Sequence, residues 1–134
     1  MNARLAAIVR KRARNRCEYC HLPESATSML FELDHIIAEQ HGGVTTVDNL
    51  AFSCFYCNHH KGPNLAGIDS KTGKRAWLFH PRQQLWTAHF NWNGALLQGI
   101  TPCGRATIAV LAINYPIRVE QRKELMAIKM FRKP

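Results

Sequence analysis

The sequence predicts an α+β fold: a basic N-terminal helix, a ββα core closed by four cysteines, and a C-terminal extension of one hairpin and two helices. Three observations carry this expectation. Two Cys-x-x-Cys pairs, Cys17/Cys20 and Cys54/Cys57, stand 33 residues apart, and together they can close around one ion. Between them, residues 29–37 alternate as a strand does, with Phe31 and Leu33 on one side and Glu32 and Asp34 on the other. Asn93-Gly94, flanked by apolar and aromatic runs, is the strongest short hairpin signal.

The elements follow in order. Residues 2–14 read as a helix, with Leu5, Ile8 and Val9 on its inner face and Arg4, Arg12 and Arg14 turned to solvent or phosphate. Cys17 to His21 is a short knuckle, residues 29–37 the first strand, Gly42-Gly43 a turn, and 51–53 the return strand. A short helix over 55–61 is ended by Gly62-Pro63, and 64–75 read as a polar surface loop. The predicted hairpin pairs 86–92 with 95–100, and Trp86, Phe90 and Trp92 are assigned to a core. Thr101-Pro102 caps a helix through Ile113, with Ile108, Leu111 and Ala112 inward. Asn114-Tyr115-Pro116 breaks it, and a basic helix runs on to about Lys129. The 134 residues suit one domain: 1–16 the basic helix, 17–63 the core, 76–134 the extension.

Charge points to the partner. There are 18 Lys and Arg against 9 Asp and Glu, a net charge of +9. Residues 2–16 carry six basic groups and no acid, whereas 17–60 carry six acids and no Lys or Arg. An acidic centre between basic arms suits a polyanion gripped around a metal, so nucleic acid, DNA first with RNA left open, is the expected partner. No run approaches the ~20 apolar residues of a membrane span, and no apolar signal core stands near the N-terminus; a cytoplasmic, membrane-free setting is expected. There, paired cysteines read as metal ligands rather than disulfides, and four thiolates favour a structural Zn²⁺. Cys103 is left over and reads as a small packing residue.

Between the pairs lie the residues that can do chemistry. Asp34-His35 ends the first strand, Asn49 follows 14 residues later, and Asn58 nine beyond that. A neutral histidine can take a proton from water. A carboxylate and an amide oxygen are hard ligands for Mg²⁺ or Mn²⁺, with positions left for water and phosphate. Asp34 and Asn58 are therefore the expected ligands of a catalytic cation, with His59 or His60 as alternatives to Asn58 should the helix begin in another phase. Lys61, Arg82 in the His80-Pro81-Arg82 loop, and Arg4, Arg12, Arg14 and Arg16 are the expected phosphate contacts. For Lys61 an exposed place at the helix end is the equal alternative.

The pattern Asp-His, middle Asn, then Cys-x-x-Cys-Asn, spanning about Cys17 to Lys61, resembles the HNH endonuclease family and its ββα-metal core. Residues 78–113 are similar to the tail of small stand-alone bacterial members. The resemblance implies a metal-dependent phosphodiester hydrolase with His35 as general base, Asp34 and Asn58 on one divalent cation, and Asn49 positioning the loop of His35. One site per chain implies nicking unless the protein dimerises, and a separate targeting partner would explain the lack of a base-reading helix. The rivals are a non-catalytic zinc-binding nucleic-acid module and a ribonuclease. The co-presence of His35 and Asn58 argues against the first.

Overall fold

The computed structural model describes residues 3–133. Its elements are α1 (Ala3–Arg12), β1 (Glu32–His35), β2 (Leu50–Ser53), α2 (Phe55–Lys61), β3 (Ala66–Ile68), β4 (Arg75–Trp77), β5 (Phe90–Asn93), β6 (Leu96–Gly99), α3 (Pro102–Val110) and α4 (Pro116–Ala127). The strands form three separate two-stranded antiparallel sheets, β1–β2, β3–β4 and β5–β6. This is the α+β arrangement expected, with one hairpin more.

The first core lies between α1 and the β1–β2 hairpin. Val9, Ala13, Leu50 and Phe52 are buried there, and Leu5, Phe31 and Leu33 pack against them. Withdrawing Val9, Leu50 or Phe52 from water stabilises the fold by about 1.5–3 kcal/mol each. Ile8, expected inside, is exposed; one residue's 100° step carries it off the narrow stripe centred on Val9. α1 begins at Ala3, so Asn2 of the predicted helix lies outside the described residues. Arg14 and Asn15, both at φ 56°, end the helical path and turn the chain toward the first cysteine pair.

The β1–β2 register pairs Asp34 with Ala51 and His35 with Leu50. Alternation holds as predicted: Leu33 faces α1, and Asp34 is buried on the opposite face. α2 spans the predicted residues, and the Cys54 side chain caps it by accepting from the Cys57 amide.

The larger core joins the cysteine knuckle to the C-terminal extension. Phe90 is its centre, with the Phe79 and Trp86 rings at 5.4 and 5.1 Å. Here the sequence expectation needs three corrections. The predicted loop 64–75 contains the β3–β4 hairpin, whose turn is built by Asp69: its carboxylate accepts from the Lys71 amide and the Thr72 hydroxyl, and Arg105 of α3 binds it. Secondly, β5 starts at Phe90, not Trp86; residues 86–88 form a single 3-10 turn. The Trp86 ring stacks on His21 at 4.0 Å and its Nε1 donates to the Tyr19 carbonyl, which holds this segment to the knuckle instead of to β6. Thirdly, α3 stops at Val110, and Ala112, expected inward, occupies a left-handed turn between buried Leu111 and Ile113. α3 lies almost in contact with the β5–β6 backbone: a Cβ on Gly104 would collide with the His89 carbonyl oxygen. α4 ends at Ala127, two residues short of the expected limit. No helix among the described residues is long and apolar enough to cross a membrane.

Candidate active site and metal centre

Cys17 and Cys20 come from the knuckle after α1, and Cys54 and Cys57 from the start of α2. All four are buried, and their sulfur atoms lie within 4.8 Å of one another. The sulfurs of Cys17 and Cys54 accept from backbone amides at 3.4–3.5 Å, as thiolates at a metal do. This group can hold a metal ion, and soft sulfur donors in a closed tetrahedral set suit zinc. Cys103 takes no part. A residue the sequence reading missed completes the centre: buried Arg118 of α4 donates to Cys57 Sγ at 3.0 Å, and its other Nη donates to the Leu111 and Ala112 carbonyls. Burial alone would lower the Arg118 pKa, but the charges of Cys57, Cys20 and Cys54 more than offset this, and the group stays protonated.

Asp34 lies between this centre and α2 and is 5% exposed. Its Oδ2 accepts from the Tyr19 hydroxyl at 2.6 Å and from Lys61 Nζ at 3.0 Å, and its Oδ1 takes only Lys61, at 3.2 Å. Burial raises its pKa, and Lys61 and then Tyr19 pull against that rise. Tyr19, inside the first cysteine pair, could have been noticed on that ground alone; nothing in its spacing marked it.

Lys61 requires a correction. It is 1% exposed and neither touches solvent nor is free for a phosphate. Besides Asp34, its ammonium donates to the carbonyls of His35 and Ile36 at 3.2 and 3.1 Å. With three proton donors and three acceptor groups, it is fully used in tying the end of α2 to the end of β1.

His35 faces the opposite side of β1. Its Nε2 lies 2.8 Å from Thr45 Oγ1 and 3.4 Å from Glu39 Oε1, whereas Nδ1 has no partner among the described residues. Thr45 and Glu39 were not singled out from the sequence, because a loop's closure onto a strand leaves no periodic trace. Asn49 is buried and clamps that loop: its Oδ1 accepts from the Ile37 amide at 2.8 Å, and its Nδ2 donates to the Ile37 and Val44 carbonyls at 2.9 and 2.8 Å. Gly43 lies so close that a Cβ there would overlap the Ile37 carbonyl oxygen. The Gly42-Gly43 turn thus reflects close packing at its second residue.

Asn58 sits one turn before Lys61 on the same helix face and is half-buried, with no side-chain partner among the described residues. His59 and His60 are exposed on other faces, and His59 stacks on Phe55.

Among the expected phosphate contacts, Arg4 and Arg14 are exposed and Arg16 is half-buried. Two others are engaged within the protein, Arg12 while remaining exposed and Arg82 while half-buried, which corrects the expectation for Arg82. Arg12 donates to the Val47 and Leu50 carbonyls at 2.8 and 2.7 Å, pinning α1 beside the Asn49 turn. Arg82 is ion-paired with Glu18, whose second oxygen accepts from the Phe52 amide. Both arginines of α4 also turn inward, Arg118 as above and buried Arg122 donating to Ala95, Ile113 and Asn114, whereas Lys123 stays exposed.

Residues 17–64 match the family model described as HNH endonuclease, a segment running from the first cysteine to just beyond α2. The family resemblance read from the motif is thereby borne out over this segment, and the match supports a nuclease-type function at the level of the family. No curated protein and no solved structure matches the chain.

Proposed function

From an HNH endonuclease segment at residues 17–64, we propose that the protein hydrolyses DNA phosphodiester bonds with His35 as general base and one divalent cation at Asp34 and Asn58. The observation that carries this reading is the state of the His35 ring. Its Nε2 is engaged by Thr45, so the neutral tautomer with the proton on Nε2 leaves the Nδ1 lone pair free to accept a proton from water. On taking that proton the imidazole would stand 3.4 Å from Glu39. Asn49 holds the loop that carries both Thr45 and Glu39, so its role is to position His35 and not to touch the substrate.

The donor set fits a hard cation. The Asn58 amide has no partner among the described residues, and Asp34 Oδ1 retains an acceptor position after its bond to Lys61. Bound there, the cation would neutralise charge on the phosphoryl oxygens and the departing 3′ oxygen. Lys61 and Tyr19 orient the carboxylate, as hydrogen-bonding neighbours of ligating carboxylates do. The Lys61 ammonium also offsets much of Asp34's charge, so these two residues alone would hold a cation weakly. The four cysteines hold zinc in this reading, which fixes Tyr19 and α2 relative to β1. Arg4, Arg14 and Arg16 contact flanking phosphates.

The test is incubation of the zinc-loaded chain with supercoiled plasmid, and separately with single-stranded RNA, in Mg²⁺ or Mn²⁺. Metal-dependent nicking of the plasmid, abolished by His35→Ala and by Asn58→Ala, is expected. Binding without cleavage in either metal would overturn the enzymatic reading in favour of a nucleic-acid-binding module. Cleavage confined to RNA would overturn the choice of DNA.

A further inference from the structure

The two basic ends of the chain meet. Arg14 and Arg16, before the first cysteine pair, and Lys129, Arg132 and Lys133, after α4, border one cleft of about 590 Å³. No carboxylate borders it, and none of the five cations makes an ion pair among the described residues. Burial and the charge of Arg14 both depress the Arg16 pKa, the expected effect of crowding like charges. Holding five unneutralised cations around one cavity costs stability that an anion would restore.

Two further observations single the cleft out. Four of the five described non-glycine residues with left-handed backbone border it: Arg14, Asn15, His21 and Lys129, at φ 56–65°. Arg14 and Asn15 end α1, Lys129 follows α4 and His21 closes the knuckle, so the cleft is walled by turns that both helices and the cysteine pair hold in place. His21, 7% exposed, borders the cleft with its Nδ1 unpartnered among the described residues.

The cleft is separate from the candidate active site: none of Asp34, His35 and Asn58 borders it. A smaller depression shares Arg14, Arg16 and His21 with it, and that depression in turn shares Phe79 and Gln84 with the hollow bordered by Lys61, Ile36 and Ile37. We propose that this cationic cleft binds the phosphodiester backbone of nucleic acid beyond the scissile step, with Lys129, Arg132 and Lys133 as contacts alongside Arg14 and Arg16. The inference rests on the nucleic-acid reading above for its ligand, and not on catalysis.

The test uses the full chain in its zinc-loaded form with His35→Ala, and a labelled 20-base-pair DNA duplex as probe, by anisotropy from 50 to 300 mM KCl. A cleft variant carries Lys129→Asn, Arg132→Gln and Lys133→Gln; asparagine keeps the left-handed backbone accessible. A control carries Lys71→Gln, Lys74→Gln and Arg75→Gln at the exposed β3–β4 hairpin, removing the same charge elsewhere. The cleft variant should bind at least tenfold more weakly at 100 mM. Its dependence of log Kd on log salt should fall by about 2–3, near 0.9 for each phosphate no longer neutralised. The control should stay within twofold. Equal weakening of both variants, or an unchanged salt slope in the cleft variant, would overturn the proposal. Circular dichroism and zinc content report folding; should the triple variant be unstable, Lys133→Glu alone carries the test, with at least threefold weakening expected. Cleft-dependent binding by a wild-type chain that never cuts plasmid would sink the nuclease reading alone.

Discussion

Replacing Lys61 by methionine separates a buried tether from a phosphate contact. Methionine keeps most of the volume and removes only the ammonium. Asp34 would then be left at 5% exposure with Tyr19 as its one remaining donor, and the His35 and Ile36 carbonyls would lose a shared partner. Breaking a buried ion pair from one side costs about 3–5 kcal/mol, because the other charge stays behind. That loss is expected in urea unfolding of the zinc-loaded protein at pH 7. The pH dependence has a definite sign. Burial already raises the Asp34 pKa against the pull of Lys61, so removing Lys61 raises it further. A carboxyl whose folded pKa lies above its unfolded value stabilises the fold below the unfolded pKa, and that contribution is lost as pH rises through the folded one. The variant's deficit should therefore shrink toward pH 4. Adding Asp34→Asn, which removes the stranded charge, should recover about 2 kcal/mol or more at pH 7. A deficit below about 1 kcal/mol, or an unchanged fold with a DNA-binding salt slope lowered by about 1, would refute the tether and restore the phosphate contact.

Other perturbations test neighbouring parts. Asn49→Ala removes three hydrogen bonds from a buried clamp and should cost about 3 kcal/mol by denaturation, with kcat for nicking falling more than KM rises. Arg118→Met deprives Cys57 of its charged donor and should speed zinc transfer to a chromogenic chelator several-fold; an unchanged rate would mean that the guanidinium does not support the metal centre. Asp69 has its pKa held well below the ordinary carboxylate range, first by Arg105, so its contribution is present above the unfolded pKa and lost as pH falls through the folded one. Asp69→Asn should accordingly lower Tm at pH 7 and do so less near pH 2, measured by thermal melting.

What the sequence determined by itself was local or rigidly spaced. The cysteine pairs, the alternation that puts Leu33 on one face and Asp34 on the other, the α2 boundaries, the Asn93-Gly94 turn and the Thr101-Pro102 start all rest on contacts within a few residues. Dihedral preference and side-chain period decide these without knowledge of the rest of the chain. The tertiary structure decided the fate of the long cationic side chains. Lys61, Arg12, Arg82, Arg118 and Arg122 look like surface charge in one dimension, and each is used instead on carbonyls, thiolates or carboxylates, most of them distant in sequence. The same holds for the β3–β4 hairpin, which depends on Arg105 of α3 reaching Asp69. A flexible four- or five-bond side chain carries no periodic signature of its partner, so only the packing of distant segments shows whether its charge faces water or a buried acceptor.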